Sequence, residues 1–177
     1  MTFSILFVCL GNICRSPLAE IALREEAARA GLDISVDSAG TGSWHIGDPP
    51  DPRTIAVAAR NGSDAAALRA RQVTRQDFLS FDWIVAMDRQ NHADLQELQP
   101  SDAAAELHLA LDFVPGREGA GVNDPYQGGE PEFDTAWQDA TTIARAMVER
   151  LADQNLADQD QADQDQADPD GGDQASG

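Results

Sequence analysis

Short apolar runs alternate with amphipathic segments along residues 1–151 of the chain. The runs are short and apolar, as buried strands are, whereas the intervening segments carry apolar residues at helical spacings. Strands that alternate with helices are typical of a parallel sheet covered by helices on both faces. We therefore predict a single three-layer α/β domain around a central four-stranded parallel sheet, with strands at Ile5–Cys9, Ile34–Ser38, Trp83–Ala86 and Leu107–Leu111.

Helix boundary signals occur where this alternation requires them. The first predicted helix, Pro17–Ala30, has Ser16 before it as an N-cap, proline at its first position and Gly31 after its end. Shorter helices are predicted over Pro52–Arg60 and Gln90–Leu98. The last helix has the clearest pattern, because one apolar face is formed by Phe133, Trp137, Ala140, Ala144, Met147 and Leu151.

The pattern changes abruptly after residue 151. Residues 152–177 contain eight aspartates, no basic residue and no aromatic residue, in a five-residue repeat that begins at Leu151. A period of five advances by about 140° per repeat on a helix, so the repeated alanines do not form one apolar face. We therefore predict a folded domain over residues 1–151 and an acidic tail over 152–177 that is disordered or a frayed helix.

Charge and composition restrict the partners and the chemistry. The 31 acidic and 12 basic residues give a net charge of −19, which repels nucleic acids and anionic membranes. All 12 basic residues are arginine, so Schiff-base chemistry and lysine-containing nucleotide loops are excluded. We interpret the acidic, lysine-free composition as an adaptation to a high-salt cytoplasm, in which screening relieves the repulsion between carboxylates. An acidic protein of an organism that lives at ordinary salt concentrations is the alternative.

The N-terminal apolar run and the spacing of cysteines and histidines bear on the location of the protein and on metal binding. The apolar run Phe3–Leu10 follows no basic segment and is too short to span a bilayer, so we expect a cytoplasmic protein. The two cysteines and three histidines are not spaced as zinc ligands. We therefore expect neither a metal site nor another cofactor.

The first predicted strand runs into a short loop, Cys9-Leu-Gly-Asn-Ile-Cys-Arg-Ser-Pro17, and then directly into a helix. Backbone N–H groups that curve ahead of a helix N-terminus bind phosphate, and their field favours the thiolate form of a cysteine. Arg15 can hold two phosphate oxygens with its planar guanidinium. Gly11 permits a tight turn, and Asn12 tolerates a left-handed backbone. The loop therefore predicts a phosphate site with a nucleophilic cysteine.

This loop resembles the active-site loop of the low-molecular-weight protein tyrosine phosphatases, whose pattern C-x5-R-S matches at Cys9, Arg15 and Ser16. The resemblance extends over almost all of residues 1–151 and does not include the tail. Its further matching segments are Ser38-Ala-Gly-Thr, Trp44-His45-x-Gly47, Asp51-x-Arg53, Ala70-Arg71-Gln72, Asp77-Phe78, Phe81-Asp82, Met87-Asp88 and Asp124-Pro125-Tyr126.

The resemblance implies a protein tyrosine phosphatase that hydrolyses a phosphotyrosine-containing protein or a small aryl phosphate, without a metal. Cys9 would attack the phosphorus to form a phosphocysteine, and Asp124 would protonate the leaving phenolate and then activate the hydrolytic water. Arg15 and the loop amides would stabilise the phosphate oxygens, and the Ser16 hydroxyl would donate to the sulfur. The phosphate-binding residues implied are Leu10, Gly11, Asn12, Ile13, Cys14 and Ser16.

Three residues of the matching segments have a second interpretation. The resemblance implies that Cys14 forms a reversible disulfide with Cys9, but a small core residue is the alternative. It also implies that Trp44 and Tyr126 wall a cleft around the substrate ring, although both could be ordinary loop anchors. We interpret His45 as a surface residue that forms hydrogen bonds.

Two positions depart from the family pattern. Many members have a histidine three residues before the arginine of the Ala-Arg-Gln segment, where it supports the loop asparagine, but this chain has Leu68. Asn12 must therefore be supported differently. Gln127 follows Tyr126 where some members have a second tyrosine, which leaves the preferred phosphopeptide sequence open.

Three other functions are alternatives to a tyrosine phosphatase. A thioredoxin-coupled arsenate reductase needs two further cysteines for its disulfide relay, and none follows Cys14. A protein arginine phosphatase commonly has threonine at the position of Ile13, and isoleucine favours an aryl phosphate. A non-catalytic phosphopeptide-binding module would keep Arg15 but could lose Cys9 or Asp124, and both are present.

Overall fold

The computed structural model describes residues 2–167 and contains one parallel four-stranded sheet. Its strands are β1 (Phe3–Cys9), β2 (Ile34–Gly40), β3 (Trp83–Ala86) and β4 (Glu106–Leu109), in the spatial order β2-β1-β3-β4. The central strand β1 pairs with both neighbours, so that Ile5 lies between Val36 and Trp83. The predicted parallel sheet is confirmed.

Within the described residues, five α-helices cover the two faces of this sheet. They are α1 (Arg15–Ala30), α2 (Pro52–Arg60), α3 (Asp77–Ser80), α4 (Arg89–Leu98) and α5 (Glu130–Ala167). On one face, Ile5 and Phe7 of β1 pack in the larger core cluster with residues of α1, α2 and α5. On the other face, Leu6 and Val8 pack with residues of α3 and α4. The alternation along β1 therefore produces the three layers predicted.

Several predicted boundaries differ from the structure by one or two residues, and two of these differences have a clear local cause. The fourth strand ends at Leu109, and Ala110–Phe113 form one turn of 3-10 helix, because the neighbouring β3 ends at Ala86 and offers no further pairing. The first helix begins at Arg15, with Cys14 at the N-cap position. Ser16 is therefore within the first turn and is not the N-cap, and its hydroxyl forms hydrogen bonds below the loop instead.

The last helix continues beyond Leu151 into the predicted tail. Leu151 is buried, the side chains at 153–159 are exposed, and the helix extends to Ala167, so the described part of the tail has the helical form, one of the two forms predicted. Alanine and glutamine have good helix propensity, and elongation of a formed helix avoids the cost of nucleation. The remainder of the predicted tail lies outside the described residues. No helix within residues 2–167 has the length and apolar character needed to cross a membrane.

Candidate active site

The loop between β1 and α1 lies at the carboxyl end of the central strand. Ligands of open α/β sheets bind at this edge, where the chain leaves neighbouring strands in different directions, and the order β2-β1-β3 places that point beside β1. Cys9 is the last residue of β1, and Arg15 is the first residue of α1. The loop therefore brings a thiol, a guanidinium and a helix N-terminus together.

Two groups form hydrogen bonds with the Cys9 sulfur. The backbone N–H of Asn12 donates to Sγ at 3.3 Å, and the hydroxyl oxygen of Ser16 lies 3.0 Å from Sγ. Cys9 is buried beneath the loop, with 3% of its surface exposed. Hydrogen-bond donors at these positions stabilise negative charge on the sulfur.

Asn12 holds the loop in shape from below. Its φ of 56° is left-handed, and its side-chain nitrogen Nδ2 donates to Ser16 Oγ and Ser38 Oγ, each at 2.9 Å. Its Oδ1 accepts from the backbone N–H of Arg71 at 3.0 Å. These bonds confirm the prediction that Asn12 has a support other than a histidine at position 68. Leu68, which occupies that position, packs against the larger core cluster.

A buried carboxyl group extends this support by one step. Ser38 Oγ donates to Glu20 Oε2 at 2.5 Å, and Glu20 Oε1 pairs with Arg24 at 2.5 Å. Burial raises the pKa of Glu20, although the Ser38 hydroxyl and Arg24 oppose the shift. Glu20 therefore connects the interior of α1 to Asn12 through one serine, a contact that the sequence motif alone did not indicate.

Arg15 is fixed by three acceptors. Its Nη1 donates to Asp88 Oδ2 at 2.6 Å and to the Val122 carbonyl at 3.1 Å, and its Nη2 donates to Asp124 Oδ2 at 3.4 Å. Burial opposes the charged form, but the charges of Cys9, Asp88 and Asp124 outweigh it and raise the pKa of Arg15. A buried guanidinium that is always charged faces the loop.

Asp124 lies at the mouth of the site, in the loop between the 3-10 turn and α5. Its Oδ1 accepts from the backbone N–H of Tyr126 at 3.1 Å, and its side chain is 45% exposed. Its other carboxylate oxygen accepts from Arg15, and Asp124 lines the same cavity as Cys9. Asp124 is therefore accessible both to a group bound in the cavity and to water.

Arg53 ties this acid-bearing loop to α2. It pairs with Asp51, the N-cap of α2, and donates to the carbonyls of Tyr126 and Gly128 at 3.1 and 3.0 Å. Its guanidinium also lies 4.6 Å from the ring centroid of Phe133 in α5. The position of the loop that carries Asp124 is therefore defined by α2 and α5 together.

The cavity above Cys9 has a volume of about 150 Å³. Its lining contains nine of the predicted site residues: Cys9, Leu10, Gly11, Ile13, Cys14, Arg15, Trp44, Asp124 and Tyr126. Asn12 and Ser16 do not line it, because both side chains point below the loop and are almost fully buried. His45 does line it, which the sequence interpretation as a surface residue missed. The position of His45 directly after Trp44, which was predicted to wall the cleft, could have indicated that His45 lies there too.

Cys14 is a free thiol within the same loop, as is Cys9. Burial raises its pKa to about 12, and the hydrogen bond with Thr54 opposes the shift only in part. Cys14 is therefore a protonated thiol near neutral pH, which makes it a weak nucleophile in the resting protein.

In the part of the chain that the structure covers, no three His, Cys, Asp or Glu side chains are grouped to hold a metal ion.

The sheet, the loop and the buried arginine define the class of α/β phosphatases with a Cys-x5-Arg loop. The family model described as "Low molecular weight phosphotyrosine protein phosphatase" matches residues 4–171. The chain belongs to this family.

Relatives and a solved structure agree with this assignment. The low molecular weight phosphotyrosine protein phosphatase of Schizosaccharomyces pombe is 38% identical over 151 residues, which are 84% of this chain and 96% of the relative. The low molecular weight protein-tyrosine-phosphatase YfkJ of Bacillus subtilis is 45% identical over 131 residues, which are 73% of this chain and 84% of the relative. A crystal structure of the protein tyrosine phosphatase of Entamoeba histolytica, with Hepes in its active site, is similar with a TM-score of 0.81 and 33% identity. The match covers 87% of this chain and 99% of that one.

Proposed function

We propose that this chain is a protein tyrosine phosphatase that hydrolyses phosphotyrosine and other aryl phosphate monoesters through a phosphocysteine intermediate. The observation that carries the proposal is that Cys9, the Arg15 guanidinium and the Asp124 carboxylate line one cavity at the N-terminus of α1. Nucleophile, anion-binding group and acid are the three parts that phosphoryl transfer without a metal requires. The family membership supports the same reaction.

In the first step, the Cys9 thiolate attacks phosphorus while the bond to the phenolic oxygen breaks. The equatorial oxygens are stabilised by the loop amides, which include those of Leu10, Gly11 and Ile13, and by Arg15. Asp124 gives its proton to the departing oxygen, so that tyrosine leaves as a neutral phenol. Ser16, 3.0 Å from the sulfur, stabilises the thiolate before attack.

In the second step, Asp124 acts as a carboxylate. It takes a proton from a water molecule, which attacks the phosphocysteine and releases inorganic phosphate and the Cys9 thiolate. The exposure of Asp124 supports this proton transfer, because a carboxyl group that is 45% exposed is in contact with solvent water. The Ser16 hydroxyl again donates to the sulfur, now as a leaving group.

Trp44 and Tyr126 give the cavity its preference for aryl esters. Both side chains are exposed, by 72% and 46% respectively, and both line the cavity. Aromatic faces on the rim favour a planar ring by several tenths to about 1.5 kcal/mol beyond area burial. We therefore propose phosphotyrosine-containing proteins as the partners rather than nucleic acids or membranes.

We also propose that Cys14 protects Cys9 by forming a reversible disulfide when the nucleophile is oxidised. An oxidant such as peroxide would convert the Cys9 thiolate to a sulfenic acid, and the Cys14 thiol would displace water to form the disulfide. Two added electrons from an external thiol would restore both thiols.

Residues 1–151 are proposed as the catalytic domain, with the acidic segment 152–177 dispensable for catalysis. Leu151 is buried in the core, whereas the side chains at 153–159 are exposed. A chain that lacks residues 154–177 should keep its kcat on a small aryl phosphate. A large drop would show instead that the segment acts on the catalytic domain.

We propose that the protein works in a cytoplasm of high ionic strength. Two free cysteines suit a reducing compartment, and a net charge of −19 is destabilising unless it is screened. At about 1 M salt the screening length falls to roughly 3 Å, so the melting temperature should rise from dilute buffer to molar KCl. A flat or falling melting temperature would contradict this setting.

One parallel turnover assay separates the proposed function from its alternatives. The proposal predicts rapid hydrolysis of phosphotyrosine and slow hydrolysis of phosphoserine, with no turnover of phosphoarginine or arsenate. Preferred turnover of phosphoarginine would identify an arginine phosphatase in spite of Ile13. Binding of phosphotyrosine without turnover would identify a binding module.

A further inference from the structure

Two hollows adjoin the active-site cavity and extend the surface on which a substrate can lie. One, of about 310 Å³, shares Leu10 and Trp44 with the cavity, and we name it the α4 hollow. The other, of about 480 Å³, shares Ile13, His45 and Tyr126 with the cavity, and we name it the proline hollow. The two hollows have no lining residue in common, so they open from different walls of the cavity.

The α4 hollow combines apolar side chains with the uncharged polar residues Thr41 and Gln72 and one carboxylate. Leu95 and Leu98 of α4 and Val73 contribute apolar side chains to its lining. Asp94 is its single charged lining residue, and it accepts a hydrogen bond from Gln90 at 2.9 Å. Asp94 has no ion pair within residues 2–167. Its negative charge is therefore available to a ligand in the hollow.

The proline hollow has a similar composition. Asp51 is neutralised by its ion pair with Arg53, but Asp48 is 57% exposed and pairs only with His45, at 3.3 Å, within residues 2–167. No arginine lines either hollow in the described chain. The apolar lining is Ile13, Pro49, Pro50, Pro52, Ile55 and Tyr126.

We propose that the two hollows bind the polypeptide on the two sides of a phosphotyrosine and select apolar and cationic side chains there. This inference rests on the proposed function. A phosphotyrosine in the central cavity places its neighbouring residues beside Leu10 and Trp44 on one wall and beside Ile13 and Tyr126 on the other. Apolar neighbours bury surface in the hollows, and lysine or arginine pairs with Asp94 or Asp48. Acidic neighbours meet carboxylates of the same sign, and within residues 2–167 the lining of neither hollow includes an arginine.

A panel of phosphotyrosine peptides tests the selection. Three peptides are compared, and in each the same two residues flank the phosphotyrosine on both sides: leucine and lysine, leucine and aspartate, or serine and lysine. The kcat/KM of each peptide is divided by that of the free amino acid phosphotyrosine. Burial of a leucine in place of serine predicts about a tenfold advantage. Lysine in place of aspartate predicts roughly a two- to fivefold advantage for each flank, the range of exposed charge pairs.

Two variants that change the net charge equally separate the hollow from the overall field of the protein. Asp94→Arg places a cation in the α4 hollow. Asp102→Arg places one in the exposed loop before β4, at the amino ends of the strands and away from the active-site loop at their carboxyl ends. Asp94→Arg should remove or invert the preference for lysine over aspartate on one flank. Asp102→Arg should leave the normalised preferences as in the wild type.

Each outcome has a distinct meaning. Turnover of phosphotyrosine with equal normalised rates for all peptides, or with preference for acidic flanks, would overturn this inference and leave the proposed function standing. Equal responses to Asp94→Arg and Asp102→Arg would also overturn it, because the preference would then come from net charge. Absence of turnover with free phosphotyrosine and with every peptide would overturn the proposed function itself.

Discussion

Asp88 holds Arg15 with one carboxylate oxygen while its other oxygen caps the helix that follows β3. Oδ2 accepts from Arg15 Nη1 at 2.6 Å, and Oδ1 accepts from the Asn91 backbone N–H at 2.7 Å. The capping bond fixes the carboxylate at the end of the sheet, and the carboxylate in turn aims the guanidinium at the loop. A single side chain thus connects α4 with the phosphate site.

Asp88→Asn should weaken catalysis without unfolding the chain. Asparagine is as good an N-cap as aspartate, but it gives up the charged acceptor that orients Arg15. Hydrogen bonds to charged groups contribute about 1.5–3 kcal/mol, which predicts a fall in kcat/KM of about ten- to a hundredfold on an aryl phosphate.

The matched control for this prediction is Asp112→Asn. Asp112 also accepts a backbone hydrogen bond, from Gly119 at 2.7 Å, and it makes no contact with Arg15. Its variant should keep the wild-type kcat/KM. A wild-type value for Asp88→Asn would show that Arg15 is oriented by other groups.

The two loop cysteines should differ in reactivity at pH 7. Burial raises the pKa of Cys14 to about 12, so Cys14 stays a protonated thiol over the whole neutral range. Iodoacetamide should therefore alkylate Cys9 and leave Cys14 unmodified in the folded protein, and inorganic phosphate should slow the reaction at Cys9.

Peptide mass spectrometry after a short exposure to iodoacetamide measures this difference. In urea both cysteines should react, which provides the control for intrinsic reactivity. Alkylation of Cys14 at the rate of Cys9 in the folded protein would contradict the assignment.

Glu20 should make the protein less stable as the pH rises above its ordinary pKa of 4.5. Because burial raises the pKa of Glu20, the unfolded chain releases this proton at lower pH than the folded chain does. The stabilisation of the protonated form is complete below the ordinary pKa and is lost as the pH rises through the folded value. Glu20→Gln removes this dependence and can still accept from Ser38.

Urea unfolding of both proteins between pH 4 and pH 7 tests the sign. The unfolding free energy of Glu20→Gln should rise relative to that of the wild type as the pH increases. A difference that moves the other way would mean that the ion pair with Arg24 outweighs burial.

The sequence predicts the layers of this fold well, because each strand has a separate signal. Buried apolar runs such as Ile5–Cys9 and capped amphipathic segments such as Pro52–Arg60 define local structure by themselves. The end of β4 is different, since it depends on the length of the neighbouring β3. The extension of α5 to Ala167 depends on a helix already formed by packing of its first half, which a polar repeat does not reveal.

The site shows the same limit at the level of side chains. Cys9 and Arg15 could be assigned a position because both belong to one continuous loop whose ends are set by a strand and a helix. Asp88, Ser38 and Glu20 reach the loop only through the tertiary fold, at 2.5 to 2.9 Å from partners far away in the sequence. Spacing along the chain contains no information about such contacts.

Asp124→Asn should separate an acid from a residue that only positions its loop. Asparagine can still accept from the Tyr126 N–H, but it has no proton to give. General acid catalysis contributes about 10²–10⁴-fold, and most where the leaving group is basic. Single-turnover release of phenol should therefore fall by that order for phosphotyrosine and by less for an activated aryl phosphate.

The single-turnover measurement is necessary because the same carboxylate acts as the base in the second step, which can mask the asymmetry in the steady state. Equal losses on both substrates would mean that Asp124 only positions its loop and that the proton comes from another group.

The central claim is that Cys9 carries the phosphoryl group, and trapping it tests the claim most directly. The wild type is mixed with an aryl phosphate, quenched in acid within one turnover, digested and analysed by mass spectrometry. The account predicts one phosphoryl group on the peptide that contains Cys9, none on Cys14, and neither adduct nor turnover with Cys9→Ser, which should still bind inorganic phosphate. Turnover by Cys9→Ser at a rate comparable to the wild type would contradict it.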